Sequence, residues 1–225
     1  MKRLSEINEG VFRNSIVRTS GTGLKRREEQ MDYTPIDLGL PSGTLWCDRN
    51  VGAISPEDYG GYFQWAGTED MTEKDCNLVT CPYWNDKRGM FEKYNGVDKK
   101  RVLEPEDDAA TVHMGGDWHM PTAEQCNELL SNTDKGPASV GGVEGMIFKS
   151  RKNGNSIFIP ASGGRQSSSF SSYTGKDFHV WSSSVSSNDS KLVYNSASHM
   201  SSVWYAAYEV DRHVGFSVRG VIDNR

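Results

Sequence analysis

Apolar and polar positions alternate in two parts of the chain in the way that β-strands require. In 33–46, YTPIDLGLPSGTLW, apolar residues alternate with small or polar ones before and after a Pro-Ser-Gly turn. This pattern predicts a strand, a turn and a second strand. Short apolar runs at 146–148 and 157–159 flank Asn153-Gly154-Asn155, which predicts a β-hairpin.

Three stretches carry helix signals instead. The strongest is 122–133, where Thr122 and Gln125 have the spacing of a capping box and Cys126, Leu129 and Leu130 fall on one helical face. Proline followed by acidic residues predicts shorter helices that begin at 55–58, SPED, and at 105–110, PEDDAA.

Two segments show no sustained period. Residues 67–102 are polar and irregular, and we interpret them as a long insertion that is either functional or held in place by its aromatic residues. Residues 162–174 are rich in Gly and Ser, which predicts a surface loop.

The C-terminal segment 181–221 combines a polar stretch with two predicted strands, at 203–210 and 215–221, joined through Asp211-Arg212-His213. Its polar part is rich in Ser, Asn, Tyr and His, the residue types that binding loops favour because they give contact area and adaptable hydrogen bonds. The segment therefore predicts a display surface on a rigid frame. An ordinary polar loop explains the same composition equally well.

Length and charge narrow the possible organisation. The chain has 225 residues and 23 glycines, which favours one main turn-rich domain at 33–225 preceded by an N-terminal appendage at 1–32 for attachment or oligomerisation. The formal charge is -5 and no basic stripe is present, so nucleic acid is not an expected partner. No apolar run is long enough to span a bilayer, and the start MKRLSEINEG lacks the apolar core of a secretory signal, which predicts synthesis in the cytoplasm.

No metal, cofactor or catalytic site is predicted. The four cysteines are read as free thiols, although Cys76 and Cys81 have the spacing of half a zinc site. Trp84-Asn85-Asp86 and Glu104-Pro105-Glu106 resemble strings of calcium-dependent C-type lectins, but in reversed order, and the acids at 104–108 fit a helix N-terminal turn better. The histidines are isolated and no nucleophile motif occurs, so we expect a protein that is not an enzyme.

Eight strings between about residues 35 and 221 carry a family resemblance. In order, they are DLGLPSGTLW, NVGA, SPEDYGGYFQWAG, LEPEDDAA, GGDWHMPTAEQCNELL, NGNSIFIPASG, VWSSS and GFSVRGV. They resemble the Fibrobacter succinogenes major paralogous domain of gut Bacteroidetes and their phages.

The resemblance implies a C-type-lectin-like fold in the branch shared with formylglycine-generating enzymes and with the variable proteins of diversity-generating retroelements. That fold is α+β, with two main helices on short antiparallel sheets and a C-terminal segment that presents a binding surface. It implies a non-catalytic, virion-associated receptor-binding protein of a phage or prophage tail, attached through its N-terminus. The implied ligand is a protein or glycan of a bacterial surface, and the protein could form a homo-oligomer.

In retroelement variable proteins, adenine-directed mutagenesis diversifies chiefly AAY codons, which never become Trp or Glu. Trp204 and Glu209 are therefore expected to be framework. The resemblance makes the following residues candidates for the variable ligand-binding surface: Asn188, Ser190, Tyr194, Asn195, Ser198, His199, Ser201, Tyr205, Tyr208, Asp211 and His213.

Two alternatives remain. The first is an adhesin or carbohydrate-binding module of a bacterial cell surface. The second is an enzyme of the formylglycine-generating type. Enzymes of that family use a reactive cysteine pair late in the domain. This chain has no cysteine after Cys126, which disfavours the second alternative.

Overall fold

A computed structural model describes residues 32–72, 74–166, 173–186, 192–199 and 204–224, the stretches 192–199 and 204–208 by their backbone. These residues all belong to the unit Met31–Arg225, one of two units into which the chain divides. Apart from Asp32, the predicted appendage 1–32 lies outside the described residues.

The described residues form a mixed α/β structure with two α-helices and mostly short strands, and every pair of named strands is antiparallel. The helices are α1 (Ala109–Met114) and α2 (Ala123–Asn132). The strands are β1 (Pro35–Asp37), β2 (Leu45–Asn50), β3 (Trp84–Asn85), β4 (Met90–Phe91), β5 (Thr133–Val140), β6 (Val143–Ser150), β7 (Ser156–Pro160), β8 (Asp177–Val185), β9 (Leu192–His199), β10 (Trp204–Asp211) and β11 (Arg219–Ile222).

The predicted strand pair at 33–46 is confirmed by β1 and β2. Ile36 lies opposite Trp46, and Gly43 closes the turn by donating its N–H to the carbonyl of Leu40 at 2.9 Å. The other side of β2 pairs with β11, with Val221 opposite Trp46. The C-terminal strand is therefore built into the sheet that opens the domain.

The predicted helix at 55–58 is wrong. Asp58 donates its N–H to the carbonyl of Ser55 at 3.2 Å, which closes a single turn. The chain then passes Gly60 at φ +70°, where a Cβ atom would lie 2.4 Å from the carbonyl oxygen of Val51. A helix cannot continue through this left-handed, crowded position.

The other two helix predictions are confirmed. Pro105–Asp107 form a 3₁₀ turn, and Asp108 then caps α1 by accepting the N–H of Thr111 at 2.9 Å. The capping box of α2 is present in both directions, with Thr122 Oγ1 accepting from the Gln125 N–H and Gln125 Oε1 accepting from the Thr122 N–H.

The hairpin predicted around 153–155 is confirmed by β6 and β7, with Met146 opposite Ile159. A third strand, β5, pairs with β6 along its whole length and was not predicted. Its sequence TDKGPASV has no apolar alternation, and the turn that joins it to β6 depends on Gly141 and Gly142, both at positive φ.

A third sheet has the order β10, β9, β8. β10 confirms the strand predicted at 203–210, whereas β8 and β9 were not predicted. The strand predicted at 215–221 begins later than expected, at Arg219, because 215–217 make isolated bridges to three different segments, at Arg165, Phe63 and Val180.

Large aromatic residues dominate two buried clusters, one around Trp65, Trp181 and Phe216 and the other around Trp46 and Phe148. The predicted surface loop at 162–174 is wrong at its start. Ser162 is 1% exposed, and its carbonyl accepts the hydroxyl of Tyr62 at 2.6 Å. In the part of the chain that the structure describes, no helix has the length and apolar character needed to cross a membrane.

Candidate binding surface

The ends of the segment 181–221 are framework. Every residue of β8 is buried, and so is every residue from Val214 through Val221. The Trp181 indole donates to the carbonyl of Phe63 at 2.8 Å, and the Trp65 indole donates to the carbonyl of Ser182 at 2.9 Å. A binding surface within this segment must therefore lie between its two buried ends.

The serines at the start of the segment are structural, which corrects the reading of its Ser-rich composition as display surface from residue 181 onward. Ser184 Oγ accepts the N–H of Ala123 at 3.0 Å, at the first turn of α2. Ser183 donates both its N–H, at 2.8 Å, and its hydroxyl, at 3.3 Å, to the carbonyl of Pro121. Small hydroxyl side chains fit here because they satisfy buried backbone groups beside the helix.

Most of the predicted contact residues lie on one sheet. The register of β9 and β10 places Tyr205 opposite Ser198 and Tyr208 opposite Asn195. Strands β9 and β10 together carry Tyr194, Asn195, Ser198, His199, Tyr205, Tyr208 and Asp211. Asn188, Ser190 and Ser201 lie outside the described residues. The role of these positions in binding stays a prediction.

His213 follows β10 and is half-buried. Its Nε2 lies 2.9 Å from Gln166 Nε2, and its carbonyl accepts the amide of Gln64 at 3.0 Å. The Gln166 amide and the imidazole therefore lie within hydrogen-bond distance of each other. Sequence reasoning missed both glutamines, which come from segments distant in the chain.

Glu209, expected as framework, is half-buried and accepts a hydrogen bond from the hydroxyl of Ser186. This contact ties the second half of β10 to the end of β8. Asp211, two positions further on, is exposed.

Arg212 lies between two predicted contact residues yet is 1% exposed. Its guanidinium donates to the carbonyls of Lys93 and Tyr94 at 3.1 and 2.5 Å, and it lies over the rings of Trp65 and Phe91 at 4.7 and 4.4 Å. Sequence reasoning treated Arg212 as part of a polar connection, because a charged residue in a turn is usually solvated.

The insertion 67–102 is held in place by a cluster of carboxylates around Lys93. Lys93 Nζ lies 2.5 Å from Asp107 and 2.6 Å from Glu104, while the hydroxyls of Tyr83 and Tyr94 donate to Asp107 at 2.6 and 2.5 Å. The aromatic residues of the insertion therefore pin it to the turn before α1.

These contacts change the protonation of the groups involved. Burial alone would lower the pKa of Lys93, but hydrogen bonds to Asp107 and Glu104 outweigh it and raise the pKa. Burial alone would raise the pKa of Asp107, but hydrogen bonds from Lys93, Tyr83 and Tyr94 lower it. Both groups are thus held in their charged forms.

The same cluster contains the one group of metal-ligating residue types that converges within the described residues, Glu104, Glu106 and Asp107. The Lys93 ammonium lies within 3.7 Å of all three carboxylates. A side-chain cation therefore already contacts all three acids, which were predicted as a helix N-terminal turn rather than a metal site.

As the sequence predicted, no disulfide joins the four cysteines, all of which are buried. Burial raises the pKa of Cys47 and Cys76 to about 11 and that of Cys81 to about 12. Cys76 and Cys81 are not part of the converging group of metal-ligating residues. Thiols with such pKa values carry little thiolate at neutral pH and are poor nucleophiles.

A groove of about 450 Å³ lies far from 181–221 in the chain. It is lined by Gly39, Pro41, Asn132, Arg151 and Lys152. Arg151 donates to Asp134 at 2.7 Å and to the carbonyl of Ser131 at 2.9 Å, so its guanidinium also caps the C-terminal end of α2.

No protein-family model, curated protein or solved structure matches the chain.

Proposed function

We propose that this protein is a non-catalytic ligand-binding protein that displays a variable surface on a rigid frame. The proposal rests on one observation. Strand β8 and residues 214–221 are buried throughout, and between them the chain carries the stretch rich in Ser, Asn, Tyr and His on β9 and β10. A segment fastened at both ends tolerates substitutions between those ends without loss of the core.

The proposed fold is C-type-lectin-like, in the branch of formylglycine-generating enzymes and retroelement variable proteins. Two helices and short antiparallel sheets support this assignment, and so does a C-terminal segment that returns to pair with β2. The eight ordered strings from 35 to 221 supply the family resemblance.

In this proposal the protein is a retroelement-diversified receptor-binding protein of a phage or prophage tail. Tyr, Asn, Ser and His side chains at the predicted positions contact a protein or glycan of a bacterial surface. Individual contacts of this kind are weak, so several copies on one particle would supply the adhesion through avidity.

The state of the cysteines supports a function without thiol chemistry. All four are buried, and burial raises the pKa values of Cys47, Cys76 and Cys81. No cysteine follows Cys126 in the sequence. An enzyme of the formylglycine-generating type needs accessible, reactive cysteines, so this alternative is the weakest.

A carbohydrate-binding module is the second candidate, and the groove beside Arg151 and Lys152 is the observation that favours it. A guanidinium, an ammonium and the Asn132 amide line a space of about 450 Å³, within the usual range of ligand pockets. In that case ligand binding would depend on Arg151 and Lys152 and not on β10.

The test is adhesion of labelled protein to a panel of gut bacterial cells. We expect the triple variant Tyr205→Ala, Tyr208→Ala, His213→Ala to bind at least about tenfold more weakly, since aromatic anchors commonly contribute 2 kcal/mol or more. Its melting temperature should stay within about 4 °C of the unmodified protein, because the proposal places Tyr205 and Tyr208 on the surface and His213 is only half-buried.

The matched control changes three exposed residues of the β5–β6 hairpin, Ser139→Ala, Glu144→Ala and Lys149→Ala, and should bind normally. Unchanged binding of the β10 triple variant would refute the proposed surface. Loss of binding in an Arg151→Ala, Lys152→Ala variant would favour the carbohydrate-binding alternative. Collapse of the fold in the β10 variant would mean that core residues were mistaken for surface.

A further inference from the structure

The turn after β10 has an exposed outer side and a buried inner side. Asp211 is exposed and His213 is half-buried, while Arg212 between them is 1% exposed. Val214 donates its N–H to the carbonyl of Asp211 at 3.2 Å and closes the turn. Two predicted ligand contacts therefore flank one buried side chain.

The side chain of Arg212 fastens this turn to a distant part of the chain. Its two terminal nitrogens donate to the carbonyls of Lys93 and Tyr94, which lie 119 and 118 residues away. The main chain adds a second connection, because Trp65 donates its N–H to the Arg212 carbonyl at 3.0 Å. A planar guanidinium that bonds two carbonyls and stacks on rings has little freedom to move.

The acceptors of Arg212 are themselves held in place. Lys93 is bound by Asp107 and Glu104, and the Tyr94 hydroxyl donates to Asp107 and accepts the N–H of Glu104 at 2.8 Å. Tyr94 also adopts φ 57°, a left-handed conformation that non-glycine residues keep only where the surroundings enforce it. The carboxylates thus fix the peptide groups that receive the guanidinium.

We propose that Arg212 is a positioning residue for the turn that carries Asp211 and His213, and that the carboxylate cluster around Lys93 holds Arg212 in place from the insertion 67–102. As far as ligand binding is concerned, this inference rests on the proposed function. The insertion acts without touching the ligand. Its role is to keep the backbone of the turn fixed while the side chains at 211 and 213 differ between variants.

Amide hydrogen exchange of the full chain tests this without any ligand. We compare Val214 and Trp65, whose N–H groups bond to Asp211 and Arg212, in the unmodified protein and in Lys93→Met and Arg212→Lys. Each variant should accelerate exchange at both amides by about tenfold, which corresponds to about 1.4 kcal/mol of local opening.

The matched control is Lys100→Met, because Lys100 lies in the same insertion and contacts Glu104 as Lys93 does. Its hydrogen bonds involve neither Asp107 nor the carbonyls that bind Arg212. Exchange at Val214 and Trp65 should therefore change by less than about twofold, as expected for a surface ion pair.

A second reference separates positioning from general loss of stability. Leu129→Ala opens a cavity under α2, in a different buried cluster from Trp65 and Val214, and shows how much loss of global stability alone accelerates exchange at these amides. The proposal is overturned if, at equal global stability, Lys93→Met accelerates exchange at the two amides no more than Leu129→Ala does. Should Arg212→Lys fail to fold, Lys93→Met alone decides.

Adhesion to bacterial cells provides the functional arm. Lys93→Met should weaken binding while Lys100→Met should not, although both leave Asp211 and His213 unchanged. If Lys93→Met accelerates exchange at Val214 and Trp65 but adhesion is normal, the link to binding is refuted, while the role of Arg212 in positioning the turn is supported. Loss of adhesion in the β10 triple variant is a separate result, so failure of the proposed function is distinguishable from failure of this inference.

Discussion

Removal of the buried cation Arg219 should destabilise the frame more than any surface change. Arg219 is 0% exposed, and its guanidinium donates to Asn50 Oδ1 at 2.9 Å and to the carbonyls of Cys47 and Phe158 at 3.0 Å. These three bonds join β11 to β2 and β7. All three acceptors are uncharged, and burial lowers the pKa of Arg219 to about 10.

Two opposing effects decide how much free energy of unfolding is lost in Arg219→Met. Methionine avoids the cost of burying a charge, which is why replacement of buried ions is sometimes neutral. Here, however, the two backbone carbonyls and the Asn50 amide stay buried and lose their donor. At about 1–3 kcal/mol for each buried group left unsatisfied, we expect a net loss of about 4 kcal/mol.

Urea and thermal unfolding measure this loss directly. For a domain of this size, about 4 kcal/mol corresponds to a fall in melting temperature of about 8–16 °C. Arg151→Met is the control, since Arg151 is half-exposed, and it should cost no more than about 1 kcal/mol. A loss below about 1 kcal/mol in Arg219→Met would show that desolvation cancels the hydrogen bonds and would refute this reasoning.

Two further predictions concern the carboxylate cluster and the capping box. The pKa of Asp107 is lowered in the folded protein, so its contribution to stability is present above the unfolded pKa of about 3.9 and is lost as pH falls through the folded value. Urea unfolding measured from about pH 6 downward should show that acid lowers the free energy of unfolding less in Lys93→Met than in the unmodified protein. An equal decrease in both proteins would contradict the lowered pKa of Asp107. Thr122→Ala should destabilise the protein by about 1 kcal/mol, because the Gln125 N–H loses its acceptor, whereas Thr122→Ser should be nearly neutral by the same denaturation measurement.

Elements that depend on neighbouring residues were predictable from the sequence. The capping box of α2 involves residues three positions apart, and the hairpin turn needs Gly154, which adopts φ +79°. The helix expected at 55–58 failed because Gly60 approaches the carbonyl of Val51, a contact that no local pattern reveals.

Buried polar residues were the main source of error. Serines at 182–184 and the arginines 212 and 219 are of types usually exposed, yet each is buried with hydrogen-bond partners supplied by distant segments. The extent of the candidate surface depends on these contacts. The buried ends therefore narrow the predicted display segment, and its role in binding stays a prediction.

The proposed function requires a variable stretch between two fixed, buried ends. Sequencing the encoding locus in many members of the source population tests it most directly. We expect substitutions at adenines of AAY codons between 187 and 213, with Trp204, 177–185 and 214–221 unchanged. We also expect a nearby reverse-transcriptase gene with an adenine-rich template repeat. Variation spread evenly along the gene, or concentrated in the buried ends, would contradict it.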